Sequence, residues 1–137
     1  MINIFDLVKN ILEVSKSLLG LSSTLAAAEH QRREGMAVLF EKISFGLAKV
    51  SSLIRMGKVP HGKCGELETY AKDLPNAIRV ELGDRATELG NTLLSAHRVE
   101  QIAMDLNELS EEDKEPFLKD IEEASGKFQA LANIVRV

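Results

Sequence analysis

The chain has 137 residues, 45% of them hydrophobic and 28% charged, with a formal net charge of −4. That is one domain's length with enough apolar residues to bury a core, which excludes a disordered tail, a collagenous chain and a disulfide scaffold. The acidic balance argues against a nucleic-acid partner, and aromatics at 4%, with no Trp, leave Leu, Ile, Val and Ala to build the interior.

Apolar residues recur at spacings of three and four almost throughout, and no segment sustains period-two alternation, so the expected class is all-α. Ile4, Leu7, Ile11, Val14, Leu18, Ser22 and Leu25 share one helical face, widened by Val8, Leu12 and Leu19. Two turns can follow, at Gly20 to Ser23 or at Arg32 to Gly35. The later one is favoured because it sets Leu25 against Ile43 and Leu18 against Val50, which predicts a first helix near 4–32. Gly20 is then interior, at a cost of about 1 kcal/mol relative to Ala. Met36, Leu39, Phe40, Ile43, Leu47, Val50 and Ile54 predict a second helix near 36–56. The cluster Gly57, Pro60 and Gly62 ends it.

Residues 63–74 read as a short connecting helix, because Pro75 fits best in the first turn of a long third helix. Ile78, Leu82, Ala86, Leu89, Leu93, Ala96, Val99, Ala103 and Leu106 carry that helix over 75–107. Ser110 reads as an N-cap, with Glu111, Glu112 and Asp113 in a first turn where the helix dipole favours acids. Phe117, Ile121, Ala124, Phe128, Leu131 and Val135 then predict a fourth helix over 111–136. The expected architecture is an antiparallel four-helix bundle with a short connecting helix, one domain over residues 1–137.

Residues carrying chemistry are sparse. The run Gly57 to Cys64 nearly matches a phosphate-binding P-loop, but that motif needs a preceding strand and a Ser or Thr where Cys64 stands. Pro60 also removes one backbone N–H. A nucleotide-binding enzyme is therefore the least favoured alternative. His61 and Cys64 supply two ligands where structural zinc takes four. His97 and Glu100 share a helical face, in the reverse of the di-iron order, and His30 falls in the polar turn. Cys64 with His61 lacks a fixed geometry for nucleophilic catalysis. The acids near residue 110 read as capping and solvation. The expectation is no enzyme, no metal, no cofactor, no small-molecule ligand and no nucleic acid.

Charge is unevenly spread. Residues 108–123 hold eight acids against Lys114 and Lys119, a net of −6, while residues 49–63 hold Lys49, Arg55, Lys58 and Lys63 and no acid, a net of +4. If the two segments lie apart on the surface, a head-to-tail contact can join copies. The candidate interaction surface is accordingly Lys49, Arg55, Lys58 and Lys63 with Glu111, Glu112, Asp113 and Glu115. A lone cysteine, no apolar run of eighteen residues and no signal-peptide pattern predict a cytoplasmic protein. The first helix is amphipathic, but Asp6, Lys9, Glu13 and Lys16 sum to zero charge, whereas anionic-lipid binding normally uses a basic face. A membrane role is thus possible but not favoured, and the expected function is a signalling interaction module with a protein partner or a second copy of itself.

Two resemblances bear on this reading. Residues 109–117, Leu-Ser-Glu-Glu-Asp-Lys-Glu-Pro-Phe, are similar to a turn-and-helix stretch of HMG boxes, though the basic strand and the tryptophan of those boxes are missing. The whole layout resembles the N-terminal helical bundles of cell-death effectors: HeLo-type domains, plant RPW8-type domains and the mixed-lineage-kinase-like pseudokinase. What carries it is an apolar first helix opening at Ile2-Asn3-Ile4-Phe5-Asp6-Leu7-Val8, a long helical hairpin and a similar size. The resemblance implies an adaptor or effector that self-associates, with membrane activity as the alternative.

Overall fold

The computed structural model describes residues 4–95 and 99–137, and among them every regular element is helical. Seven helices follow in order: α1 (Ile4–Gly20), α2 (Ser22–Ala26), α3 (His30–Arg55), α4 (His61–Leu82), α5 (Asp84–Ser95), α6 (Val99–Asn107) and α7 (Glu111–Arg136). The all-α expectation is met, and the fourth predicted helix coincides with α7. The Ser110 hydroxyl accepts the Asp113 N–H at 3.1 Å and so caps α7, satisfying one of the donors a helix start leaves open.

The chain breaks at Leu21, inside the earlier of the two expected turns, and again at 27–29, while the favoured turn at Arg32 to Gly35 is helical. Leu21 N–H is shared between the Ser17 and Leu18 carbonyls, where α1 gives way to the five-residue α2. Residues 27–29 then separate α2 from α3. The polar stretch from His30 is helical, and two of its residues find partners far along the chain. Arg32 bonds Glu81 and Ala77 of α4, and Arg33 donates to the Val137 carbonyl at 2.9 Å. Both α1 and α3 take α7 as their main partner rather than each other. The expected first hairpin, with Leu18 against Val50, is thus replaced by two helices flanking α7.

The α3–α7 contact is the spine of the core. It is antiparallel and lined with small side chains. The Ser44 hydroxyl donates to the Ser125 carbonyl at 2.7 Å, and Ser125 returns a bond to the Ser44 carbonyl at 2.8 Å. Above them the buried rings of Phe40 and Phe128 stack at a tilt, centroids 6.3 Å apart. Burying one such side chain stabilises a fold by about 1.5–3 kcal/mol. The apolar stripes of the sequence are the interior: Val8, Ile11, Val14, Leu18 and Leu25 from the first, Met36, Phe40, Ile43, Leu47, Val50 and Ile54 from the second.

The long helix expected over 75–107 is not formed. Pro75 lies well inside α4, which runs unbroken from His61, so the short connector and the start of the third helix are one element. Its buried residues Cys64, Leu67, Ala71, Leu74 and Ile78 keep one helical phase straight through the proline. The chain turns sharply at Gly83, whose φ of 58° lies in the region that favours glycine. Helix α5 then folds back antiparallel on α4, and Gly90 meets the Pro75 ring so closely that a Cβ there would lie 2.2 Å from Pro75 Cγ. A residue without a Cβ on one helix thus accommodates the ring of the other.

Candidate functional site

The acidic and basic segments read from the sequence meet within one molecule. Antiparallel packing of α3 and α7 brings the end of one helix to the start of the other. Arg55 donates through Nε to Glu122 at 2.9 Å and through Nη2 to Glu115 at 3.0 Å, with further bonds to both carboxylates. Ser51, buried beneath, donates to Glu122 at 2.6 Å. Hydrogen bonds from Arg55 hold the Glu115 and Glu122 carboxyls below their ordinary range, and those carboxylates raise the guanidinium further above its own. The premise that the segments lie apart therefore fails for Arg55 and Glu115. Lys63 is engaged with Glu66 on its own helix at 2.9 Å. Lys49, Lys58, Glu111, Glu112 and Asp113 are exposed. Lys114, one of the two cations within the acidic segment, is 6% exposed and donates through Nζ to the Ile54 carbonyl at 3.1 Å, at the end of α3. A cation there suits the negative end of the helix dipole.

The near-P-loop is a helix cap. Gly57, at φ 76°, donates its N–H to Ile54, and Lys58 donates to Leu53, the paired bonds of a Schellman motif. The Cys64 N–H is taken by Pro60 and that of His61 by Val59. Four N–H groups of the run thus bond inward to carbonyls, and a helix, not a strand, precedes it. Cys64 is buried on the inner face of α4, whereas His61 is exposed. Among the described residues no group of three or more His, Cys, Asp and Glu is placed to hold a metal. His97 lies outside the described residues, as does the side chain of Glu100.

The concave surface lies elsewhere, between α3 and α4. At one end Arg32 forms a two-bond fork with Glu81, both contacts at 2.7 Å, and adds a bond to the Ala77 carbonyl at 3.0 Å. The Glu81 side chain is only 7% exposed, and the Arg32 hydrogen bonds lower its pKa. Beside the fork opens a cleft of about 470 Å³, lined by Met36, Leu39, Lys42, Tyr70 and Asp73 among others. A second hollow of about 340 Å³ continues along the same pair of helices past Val38, Glu41 and Phe45. Lys42 Nζ sits 6.0 Å from the centre of the Tyr70 ring. Phe45 is 74% exposed and Val38 42%, both on the outer side of α3.

Of the residues lining these two hollows, Lys63 alone is in the candidate surface read from the sequence. A signal was present: Val38 and Phe45 stand seven apart, off the core stripe, on a face otherwise polar. An exposed phenylalanine ring offers contact area to another surface. Compared with protein-family models, curated proteins and solved structures, the chain finds no match in any of the three.

Proposed function

We propose that the chain is a non-catalytic, cytoplasmic helical interaction module, the adaptor or effector part of a signalling assembly, that binds a protein through the outer face of α3. The observation that carries this is Phe45, held 74% exposed beside Val38 and above the α3–α4 groove. An interface commonly centres on an aromatic anchor with a polar rim. Here Glu41, Lys42 and Lys49 supply the rim. We read the architecture as a four-helix bundle in which α1, α3 and α7 form three members and the α4–α5 hairpin completes the fourth side.

The membrane-active alternative, implied by the layout resemblance, asks α1 to offer an apolar face. Val8, Ile11, Leu12, Val14 and Leu18 are instead buried within the core, and no helix among the described residues is long and apolar enough to cross a membrane. The test has two arms. Affinity capture with the wild-type chain and a Phe45→Ser variant should retain a protein with the first and lose it with the second. Vesicles of anionic lipid should not leak. Leakage with no Phe45-dependent partner overturns the interaction reading in favour of the membrane one.

A further inference from the structure

We propose that the outer face of α3 pairs with the same face of a second copy of this chain, antiparallel, about a two-fold axis through Phe45. The inference rests on the interaction-module reading and names its occupant. Phe45, Val38 and Met56 are 74, 42 and 60% exposed. At 100° per residue Val38, Phe45 and Ser52 fall on one narrow face of α3, with Met56 just past its end and Glu41 and Lys49 on either side of the face.

The charges on that face are self-complementary. Glu41 precedes Phe45 by four residues and Lys49 follows it by four. A two-fold axis through Phe45 sets residue 41 of one copy opposite residue 49 of the other, twice, each about 6 Å along the helix from the central ring. The same operation places Val38 opposite Ser52 and Glu34 opposite Met56. A contact between identical faces must satisfy this reciprocity, and it closes at two copies instead of growing into a filament.

Neighbouring charges reinforce the polarity. Towards its start the face carries Glu34 and Glu41, both of which pair with Arg136. Towards its end Lys49 is exposed, and Arg55 is drawn aside by Glu115 and Glu122. Lys42 flanks the same half about 60° round α3 from Phe45, beside Tyr70 on the groove side, and Lys63, which lines the hollow there, is paired with Glu66. Parallel pairing would instead set Glu41 against Glu41 and Lys49 against Lys49. One helix face is a small interface, which fits a weak dimer in the micromolar to millimolar range.

Sedimentation equilibrium on the whole chain is the test, with circular dichroism melts to confirm that each variant is folded. The wild type should show a monomer–dimer equilibrium. Phe45→Ser should raise Kd by about tenfold or more, and Lys49→Glu should raise it further in low salt than in high salt. Register is read by cross-linking under a mild oxidant. A Val38→Cys chain mixed with a Ser52→Cys chain should give covalent dimers, and neither alone should match that yield. A wild type that stays monomeric at about 1 mM overturns the pairing while leaving capture of a different protein to its own test. So does a dimer indifferent to Phe45→Ser. Efficient cross-linking of the Val38→Cys chain with itself overturns the antiparallel arrangement.

Discussion

Replacing Gly90 by Ala sets two effects of opposite sign against each other. In a helix interior Ala is favoured over Gly by about 1 kcal/mol, and by that rule the change should stabilise α5. The added Cβ, however, would lie 2.2 Å from Pro75 Cγ and 2.9 Å from its Cδ. Carbon atoms pack at about 3.5–4.0 Å, so α4 and α5 must separate by roughly 1.5 Å. The proline ring is fused to its backbone and cannot rotate away. Because the ring cannot move aside, the cost falls in the upper half of the usual range for overpacking, about 2–3 kcal/mol, which leaves Gly90→Ala destabilised by about 1–2 kcal/mol after the helix gain. Gly126, exposed in α7 with nothing within 4 Å of an added Cβ, isolates the gain alone. Gly126→Ala should be stabilised by about 1 kcal/mol. For a chain of 137 residues each kcal/mol moves the melting temperature by about 3–4 °C, so the two variants, about 2–3 kcal/mol apart, should melt about 6–12 °C apart. Gly46→Ala should fall between them, because its Cβ meets Leu67 Cδ2, the far end of a side chain that can turn. Thermal melts followed at 222 nm read all three. A Gly90→Ala variant that melts at or above the wild type refutes the close α4–α5 contact.

The remaining expectations concern charge and the α3 cap. Arg32→Ala strands the nearly buried Glu81 carboxylate and should cost about 2–3 kcal/mol in urea unfolding, with Glu81→Gln milder because it keeps an acceptor; equal stability of Arg32→Ala and wild type would count against the fork. Arg55→Ala breaks exposed contacts and should cost about 1 kcal/mol, shrinking in high salt; a salt-independent loss would show the network to be shielded from solvent. Glu81, Glu115 and Glu122 all have folded pKa values below their unfolded ones. Their stabilisation is therefore complete above the ordinary carboxylate range, about pH 4.3, and is lost as pH falls through the lower folded values. An Arg32→Ala/Arg55→Ala variant should be less sensitive to pH there, which acid titration of the melt checks. Gly57→Ala places a Cβ at φ 76° and should cost about 1–2 kcal/mol by the same melts; an unchanged melting temperature would mean that the cap relaxes freely.

Much of the fold is written in the apolar period, and the misreadings have definite causes. Ser110 was legible as the start of α7 because the cap, the acids behind it and the stripe from Ile121 all agree. Pro75 misled because a proline is a strong local stop. The stripe Cys64, Leu67, Ala71, Leu74 and Ile78 runs through it in phase, and that longer-range signal prevailed. Gly83 was the real break, but a glycine between Leu82 and Asp84 shows its positive φ only in three dimensions. The turn at 27–29 was hidden for a related reason. Residues 29–35 look like a loop because they are polar, yet Arg32 and Arg33 reach Glu81 and Val137, partners 49 and 104 positions away. Local sequence cannot show that a polar residue will be satisfied by a distant helix.

The same limit governed the functional reading. Opposite charge in residues 49–63 and 108–123 was a true signal, but its simplest solution lies inside the chain. Packing α3 antiparallel on α7 brings Arg55 to Glu115 and Glu122 and seats Lys114 on the Ile54 carbonyl, so part of the charge that looked available for a partner orients the core instead. What is left exposed on α3 is the pattern the bundle does not use, Val38, Phe45, Lys49 and Met56. Core stripes are chosen by many neighbours at once and are robust to reading. An interaction face is marked only by residues that break the solvated pattern without entering the core. Phe45 is such a residue: nothing in the packing of α3 on α4 or α7 requires an aromatic ring to be 74% exposed. A large apolar group kept in water invites association, and that is the ground on which the pairing proposed above puts Phe45 at its centre.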